Sequence, residues 1–430
     1  MCRTAAAAFV AAAAAVALSV APAAVSAQAA PVHAAHAHAL TARDLMARST
    51  LRSAAARLAR SPYTFPSRAN VRPATSTPGN LSTSVAVSAT NVWAIGYTGA
   101  NQTPLAEHYK GKTWKTVPMP TPTGSTATTV SGLAAISASD VWAVGNYLNA
   151  SGDYATLSEH WNGTKWTVVA TPNQAGFPNN YLYAVSGTSA NNLWAVGTSL
   201  SSDNMVNTTL VEHWNGKKWA EATSPNPNPS YDEFQGVQAT SATGLLAVGS
   251  TLNASGAVVM FAETYDGTNW TELATPLPSG DTAGAFGGLA AISATSALGF
   301  GWVQNASDAI VPLAEKWNGT KWTVQSTPNP PGAADTLMAG AAAESASDMW
   351  LAGGDLTVAG TGDAVIEHWN GTAWSVSASP NPSGATDSQF TGVAAPSATS
   401  AWAVGETNPS GSFAVLREHW NGTKWTINES

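Results

Sequence analysis

The sequence predicts an all-β protein, a seven-bladed β-propeller of four-stranded blades, on three observations. The first is an octet that occurs seven times: EHYKGKTW at 107–114, EHWNGTKW at 159–166, EHWNGKKW at 212–219, ETYDGTNW at 263–270, EKWNGTKW at 315–322, EHWNGTAW at 367–374 and EHWNGTKW at 418–425. Its closing tryptophans step by 52, 53, 51, 52, 52 and 51 residues, a regular period of the kind that marks repeat architectures. The second is a strand signature before each octet: NVWAIG, DVWAVG, NLWAVG, GLLAVG, ALGFG, DMWLAG and AWAVG, whose key positions are 93, 142, 194, 246, 298, 350 and 402. The third is a short apolar run ahead of each signature, such as Gly132-Leu133-Ala134-Ala135-Ile136.

Each octet reads as a hairpin. Before the turn Leu157, Glu159 and Trp161 share one strand face while Ser158 and His160 share the other. Asn-Gly between two such runs is a strong short-hairpin signal, and a two-residue turn there asks for positive φ at both positions. Lys165-Trp166-Thr167-Val168-Val169 resumes a strand. With the apolar run and the VWAVG strand, each unit holds four strands. Seven such units close into a ring that leaves no long edge exposed.

Along the chain, residues 1–27 read as a secretory signal: Arg3, an apolar stretch from Ala5 to Val20, and an A-x-A-like site at Val25-Ser26-Ala27. A membrane anchor needs about 20 apolar residues, which only this run approaches. Cys2 is the one cysteine, so a mature chain without the signal has no disulfide. Residues 28–80 are Ala-, Arg- and Pro-rich and read as a mostly disordered propeptide or linker, with residues 40–60 as a candidate frayed helix and 63–77 as a candidate extra outer strand. His33, His36 and His38 lie in this leader and are read as solvated rather than metal-binding. Residues 81–430 form the propeller. They hold ten Lys and Arg against 25 Asp and Glu, a net charge of −15 that argues against nucleic acid. No cofactor is implied; calcium, a polyhydroxylated ligand or a basic partner suits such a surface. A secreted, extracellular monomer is expected.

The repeat frame absorbs 17 of the 18 tryptophans, leaving only Trp302 outside it, so tryptophan is expected to be inter-blade packing. The glutamates at 107, 159, 212, 263, 315, 367 and 418 recur once per blade. Catalysis needs unlike groups converging on one place, which equivalent carboxylates spread round a ring do not do. Glu107, Glu159, Glu212, Glu263, Glu315, Glu367 and Glu418 are therefore expected to be buried structural groups, hydrogen-bonded to a neighbouring blade. The five in-frame histidines (His108, His160, His213, His368 and His419) are likewise read as structural or solvent-facing.

The octets and VWAVG strands resemble several propeller families. The G-x-x-W ending is similar to the Asp-box repeats of sialidase-like propellers, with Trp161, Trp214 and Tyr265 where the Asp is expected. W-N-G-x-x-W resembles the repeats of seven-bladed bacterial lectins. The period resembles kelch repeats, as in the galactose oxidase central domain, although the kelch double glycine occurs only at Gly353-Gly354. The whole is most similar to secreted actinobacterial repeat proteins. Galactose oxidase chemistry would need a cysteine-modified tyrosine, and sialidase chemistry three arginines, whereas the propeller has only Arg417. The resemblance implies a propeller and no particular activity.

The loops joining strands one-two and three-four are nearly constant; those joining two-three and blade to blade vary, and variable loops on a rigid ring are where binding concentrates. Blades four and five lose both the VWAVG tryptophan (Leu246, Leu298) and the octet histidine (Thr264, Lys316). A ligand site is therefore expected on the variable-loop face there, from Tyr231, Asp232, Glu233 and Phe234 with Asp281, Phe286 and Trp302. Trp302, four residues past Leu298, is also read as a replacement for the missing core tryptophan. The expected function is non-enzymatic, lectin-like recognition of an extracellular glycan. The alternatives are a polysaccharide lyase or glycoside hydrolase on the same scaffold, and a protein-binding scaffold.

Overall fold

The computed structural model describes residues 79–99, 102–357, 361–408 and 413–428. The expected signal, the leader histidines and the candidate elements at 40–60 and 63–77 lie outside the described residues. Among the described residues 28 strands form seven four-stranded antiparallel sheets, each from four consecutive strands. Blade two shows the plan: strand one Ala127–Ser137, strand two Asp140–Leu148, strand three Tyr154–Trp161 and strand four Trp166–Val169. The first strand begins at Asn80 and the last ends at Ile427, so the ring closes on whole blades with no strand exchanged. Every strand one touches strand one of both neighbouring blades, which makes it the innermost strand around the axis.

The octet turn differs from the expected two-residue turn. Trp161 pairs with Trp166 across a four-residue loop, and within it only Gly163 takes positive φ, at 92°. Asn162 acts through its side chain, accepting the backbone N–H of Thr164 (3.0 Å) and Lys165 (3.1 Å). A Cβ on Gly163 would meet Ser139 Cβ at 2.9 Å, so this glycine also lets the two constant turns of the blade touch.

Hydrophobic packing runs between blades rather than within them. Seven core clusters each draw on two successive blades, and the last joins Trp402, Val404 and Val415 of blade seven to Leu81, Val92, Ala94, Leu105 and Trp114 of blade one. The recurring unit has three parts. A strand-two tryptophan lies directly opposite a strand-three histidine, as Trp142 opposite His160, and the five such pairs stack with centroids 3.8–4.4 Å apart. The histidine Nε2 bonds the side chain that opens strand two (Asn91, Asp140, Asn192, Asp348 or Ser400) at 2.7–3.1 Å. The indole then meets the octet aromatics of the next blade: Trp142 packs 4.7 Å from Trp214 and 5.7 Å from Trp219.

This unit explains why Trp and His vanish together in blades four and five. Leu246 lies opposite Thr264 and Leu298 opposite Lys316, so each loss removes one cross-strand pair. Phe286 packs 5.2 Å from Trp322 in the blade four–five core, and Lys316 Nζ sits 3.7 Å over the Trp369 ring at the next interface. Trp302 does not refill the Leu298 position. Four residues along a strand is about 13 Å, and Trp302 is buried in a separate patch with Ala285 and Ile310.

At the seam between blades seven and one, Arg417 donates from Nε and Nη2 to the two Glu107 carboxylate oxygens at 2.6 and 2.7 Å, both side chains buried. The same position in the other six blades is Ala106, Ser158, Val211, Ala262, Ala314 or Ile366.

Two expected outcomes follow for unfolding experiments. Trp194→Ala costs about 3–5 kcal/mol, since it removes a buried indole shared by two blades. Arg417→Ala costs about 3–5 kcal/mol because it leaves Glu107 buried without its partner, and adding Glu107→Leu restores much of the loss. A urea midpoint for Arg417→Ala equal to that of the wild type would mean the seam pair is idle.

Candidate functional site

The seven octet glutamates are buried, each at most 3% exposed. They face the preceding blade. Glu107 takes Arg417, Glu212 accepts from Thr171, and Glu418 accepts from Ser379 at 3.0 Å with both oxygens. The expected hydrogen bonding holds at these three interfaces and fails at others: the Glu159, Glu315 and Glu367 carboxylates have no protein partner among the described residues. The reason is local. The two hydroxyls, Thr171 and Ser379, each stand five residues past the closing tryptophan of the preceding blade; the corresponding residue before Glu159 is Met119, while Thr275 and Thr327 give their hydroxyls to the Met260 and Pro312 carbonyls. Burial pushes Glu159, Glu212, Glu263, Glu315, Glu367 and Glu418 up to about 8. These are neutral acids sealed between blades, far from any shared centre.

The variable-loop face is arranged differently from expectation. Phe234 and Phe286 occupy the strand-one position held elsewhere by Leu81, Val130, Leu182, Met338 and Phe390, each opposite the glycine of the VWAVG strand. Both are core residues, 0% and 1% exposed, and with buried Trp302 they offer no ligand surface. Asp232 and Glu233 belong to strand one (Asp232–Ala239) rather than to a loop, and both are buried. Asp232 accepts from Thr251 Oγ1 (2.6 Å) and Asn228 N (3.0 Å); burial, partly offset by these bonds, pushes it up to about 6. Glu233 accepts from Ser250 Oγ at 3.1 Å and from Tyr231 and Gln235, and burial raises it. Tyr231 is half-buried, its hydroxyl 3.4 Å from Ser250 Oγ, and burial holds it well above the usual phenol range. Asp281 stands on the turn into blade five, half-buried, its N–H bonded to the Pro278 carbonyl at 3.1 Å.

The residues this structure brings forward are ones the sequence reading passed over. Strand one carries a β-bulge at the same register in every blade, leaving Ser82, Ser131, Tyr183, Gln235, Gly287, Ala339 and Thr391 outside the pairing, all half-exposed on the innermost strand. Five of the seven are small; Tyr183 and Gln235, in adjacent blades, are not. Tyr183 lies 6.2 Å from Tyr181 with nearly parallel rings, and Tyr181 lies 5.1 Å from Tyr154 of blade two. A row of three tyrosines thus runs from the blade-two loop end to the axis. Gln235 holds the same bulge position in the next blade, its amide tied to Glu233. The available signal was the phase of the repeat, because the residue after each core strand-one position is the bulge.

Charge divides the ring along its axis. Eleven acidic residues, from Asp153 to Glu406, lie on variable loops or on strand ends beside them, and no described Lys or Arg does. All nine lysines lie in or beside the constant three–four hairpins. The five described in-frame histidines sit at that constant end too, so no tyrosine of the row is paired with one. Among the described residues no group of three His, Cys, Asp or Glu is placed to hold a metal ion, and no helix is long and apolar enough to cross a membrane.

No family model matches the chain, and no curated protein matches it. Solved structures do. A polysaccharide lyase of family PL25, an ulvan lyase bound to -[GlcA(1-4)Rha3S]-, is 8% identical, with 83% of this chain and 97% of that one covered at a TM-score of 0.51. The fucose-specific lectin of Aleuria aurantia is 13% identical over 71% of this chain and 97% of its own, TM-score 0.40. Hadza microbial sialidase Hz136 is 12% identical over 72% and 73%, TM-score 0.44. The likeness to the lyase, at 8% identity, is one of fold alone.

The sealed acids set the pH response. A carboxyl whose folded pKa is raised keeps its full stability below its unfolded value near 4.5 and loses it as pH rises toward about 8. His108, pushed down to about 4 mainly by burial, acts with the opposite sign below 6.5. Six acids outweigh it, so the melting temperature falls between pH 5.5 and pH 8.5. Glu159→Gln, which mimics the neutral acid, raises the melting temperature at pH 8.5 and changes it little at pH 5. Equal destabilisation at both pH values would contradict the neutral assignment.

Proposed function

We propose that this protein is a secreted, monomeric, lectin-like propeller that binds a neutral extracellular glycan on its variable-loop face, without a cofactor. The observation that carries the reading is the row Tyr154, Tyr181 and Tyr183 leading to the axis, with Gln235 at the same bulge position in the next blade. Tyr181 is the buried middle of the row, so the half-exposed Tyr154 and Tyr183 supply the ring faces on which sugar rings stack, and the Gln235 amide supplies donors and acceptors for sugar hydroxyls. The acidic character of the face, with no cation to receive an anionic sugar, favours a neutral one. Tyr231, Asp232 and Glu233 support the site from beneath, since their hydrogen bonds fix the strand that carries Gln235.

One observation favours the enzymatic alternative. Asp355 lies opposite Asp363, with Asp387 near it, and burial pushes Asp355 up to about 6, a value suited to an acid–base group. Its carboxylate, however, accepts the Asp363 N–H at 3.0 Å, a structural engagement.

A glycan array on the mature protein, followed by calorimetry on the best neutral ligand, tests the reading. Tyr183→Ala weakens binding by about tenfold, the loss of one stacked ring and its buried area, while the melting curve holds. Asp355→Asn leaves binding intact. Unchanged affinity in Tyr183→Ala would move the site elsewhere.

A further inference from the structure

The constant-turn face carries a feature that glycan recognition on the opposite face does not use. Lys424, Lys110, Lys112, Lys165, Lys217 and Lys218 stand on the three–four hairpins of blades seven, one, two and three, consecutive around the ring, and all are exposed. Blade four interrupts the series with Asp266 and Asn269, and blade six with Ala373. Along the arc the acids are few: Asp140, already bonded to His160 at 2.9 Å, and Glu221.

We propose that this arc binds a carboxylate-bearing polysaccharide, laid across the hairpins of four neighbouring blades. The net charge of −15 does not forbid it. The acidic face lies a strand length away, about 26 Å for eight residues. The Debye length at physiological ionic strength is about 8 Å, so the lysines act on a nearby anion almost independently of that face. In blades two, three and seven the hairpin fixes the backbone from which the lysine extends. Asn162 holds the turn through Thr164 and Lys165, and Asn215 and Asn421 do the same before Lys218 and Lys424. In blades two and seven the turn also sets an exposed asparagine and threonine beside the lysine. A cation next to amide and hydroxyl groups matches a sugar repeat that carries both a carboxylate and hydroxyls, whereas a phosphodiester chain would use the cation alone. Repetition over four blades makes weak contacts additive on one polymer chain.

The test is retention of the full protein on a polygalacturonate resin, with uncharged dextran and polyphosphate resins in parallel. The expected result is retention on polygalacturonate at 20 mM salt and release by about 300 mM, as screening of exposed charge requires. The triple variant Lys165→Glu, Lys218→Glu, Lys424→Glu loses at least tenfold in retention while Tyr183→Ala keeps it, so failure here is separable from failure of the glycan site. Should the reversed charges disturb melting, the Lys→Gln triple is read instead. Wild-type retention of the triple variant, retention on dextran, no retention on polygalacturonate, or equal retention on polyphosphate would each overturn the proposal.

Discussion

The stack of a strand-two tryptophan on its cross-strand histidine, pressed against the octet aromatics of the next blade, is the contact on which this ring depends. No blade has a core of its own: a four-stranded sheet presents two apolar faces, and each is covered only by a neighbour. The histidine bonds the residue that opens strand two, whereas of the five stacked indoles only Trp142 has a partner for its N–H among the described residues, Asp140 at 2.9 Å. Where the stack is missing, in blades four and five, other residues fill the space, with Phe286 against Trp322 and Lys316 over Trp369. The break in the repeat at these positions is a repacking of the inter-blade core.

Closure raises a separate difficulty. Rings of this kind can share a strand between first and last blades, but among the described residues this one ends on whole blades, and its seam is held by the Gly79 N–H on the Phe413 carbonyl, by Thr391 on the Leu81 carbonyl and by side-chain pairs. The single arginine of the propeller forms one of these pairs. Arg417 lies in a position that is neutral in the other six blades, and it finds the one octet glutamate with a cationic partner. The remaining six glutamates are pushed up to about 8 by burial, with nearby carboxylates adding to the effect at Glu212 and Glu263. One repeated residue thus meets two settings, chosen by what the preceding blade places against it: an arginine at one interface and burial without a cation at the other six.

Function is confined to what this packing leaves free. The constant turns bind each other through Gly163 and Ser139 and carry the lysines outward. The opposite face collects the acids, the variable loops and the tyrosine row. Polarity of this kind along the axis gives one rigid body two faces of different charge, which screening keeps nearly independent.

Much of this was legible in the residues. The period, the four-strand unit, the number of blades and the burial of tryptophan and glutamate all follow from patterns that repeat, since every blade must satisfy the same interface. Residues that break the pattern were not legible in the same way. Asp232, Glu233, Phe234 and Trp302 stood out as irregular and aromatic or charged, yet the strand register turns them inward. Tyr183 and Gln235 looked ordinary, yet a bulge leaves them half-exposed on the innermost strand. A single sequence sets the alternation of faces along a strand; which residue escapes that alternation depends on the bulge, and the bulge is set by how seven inner strands crowd around one axis. The repeat by itself determined the ring. Only the tertiary structure decided which side chains reach its surface, because that choice is made by neighbouring blades far apart in the chain.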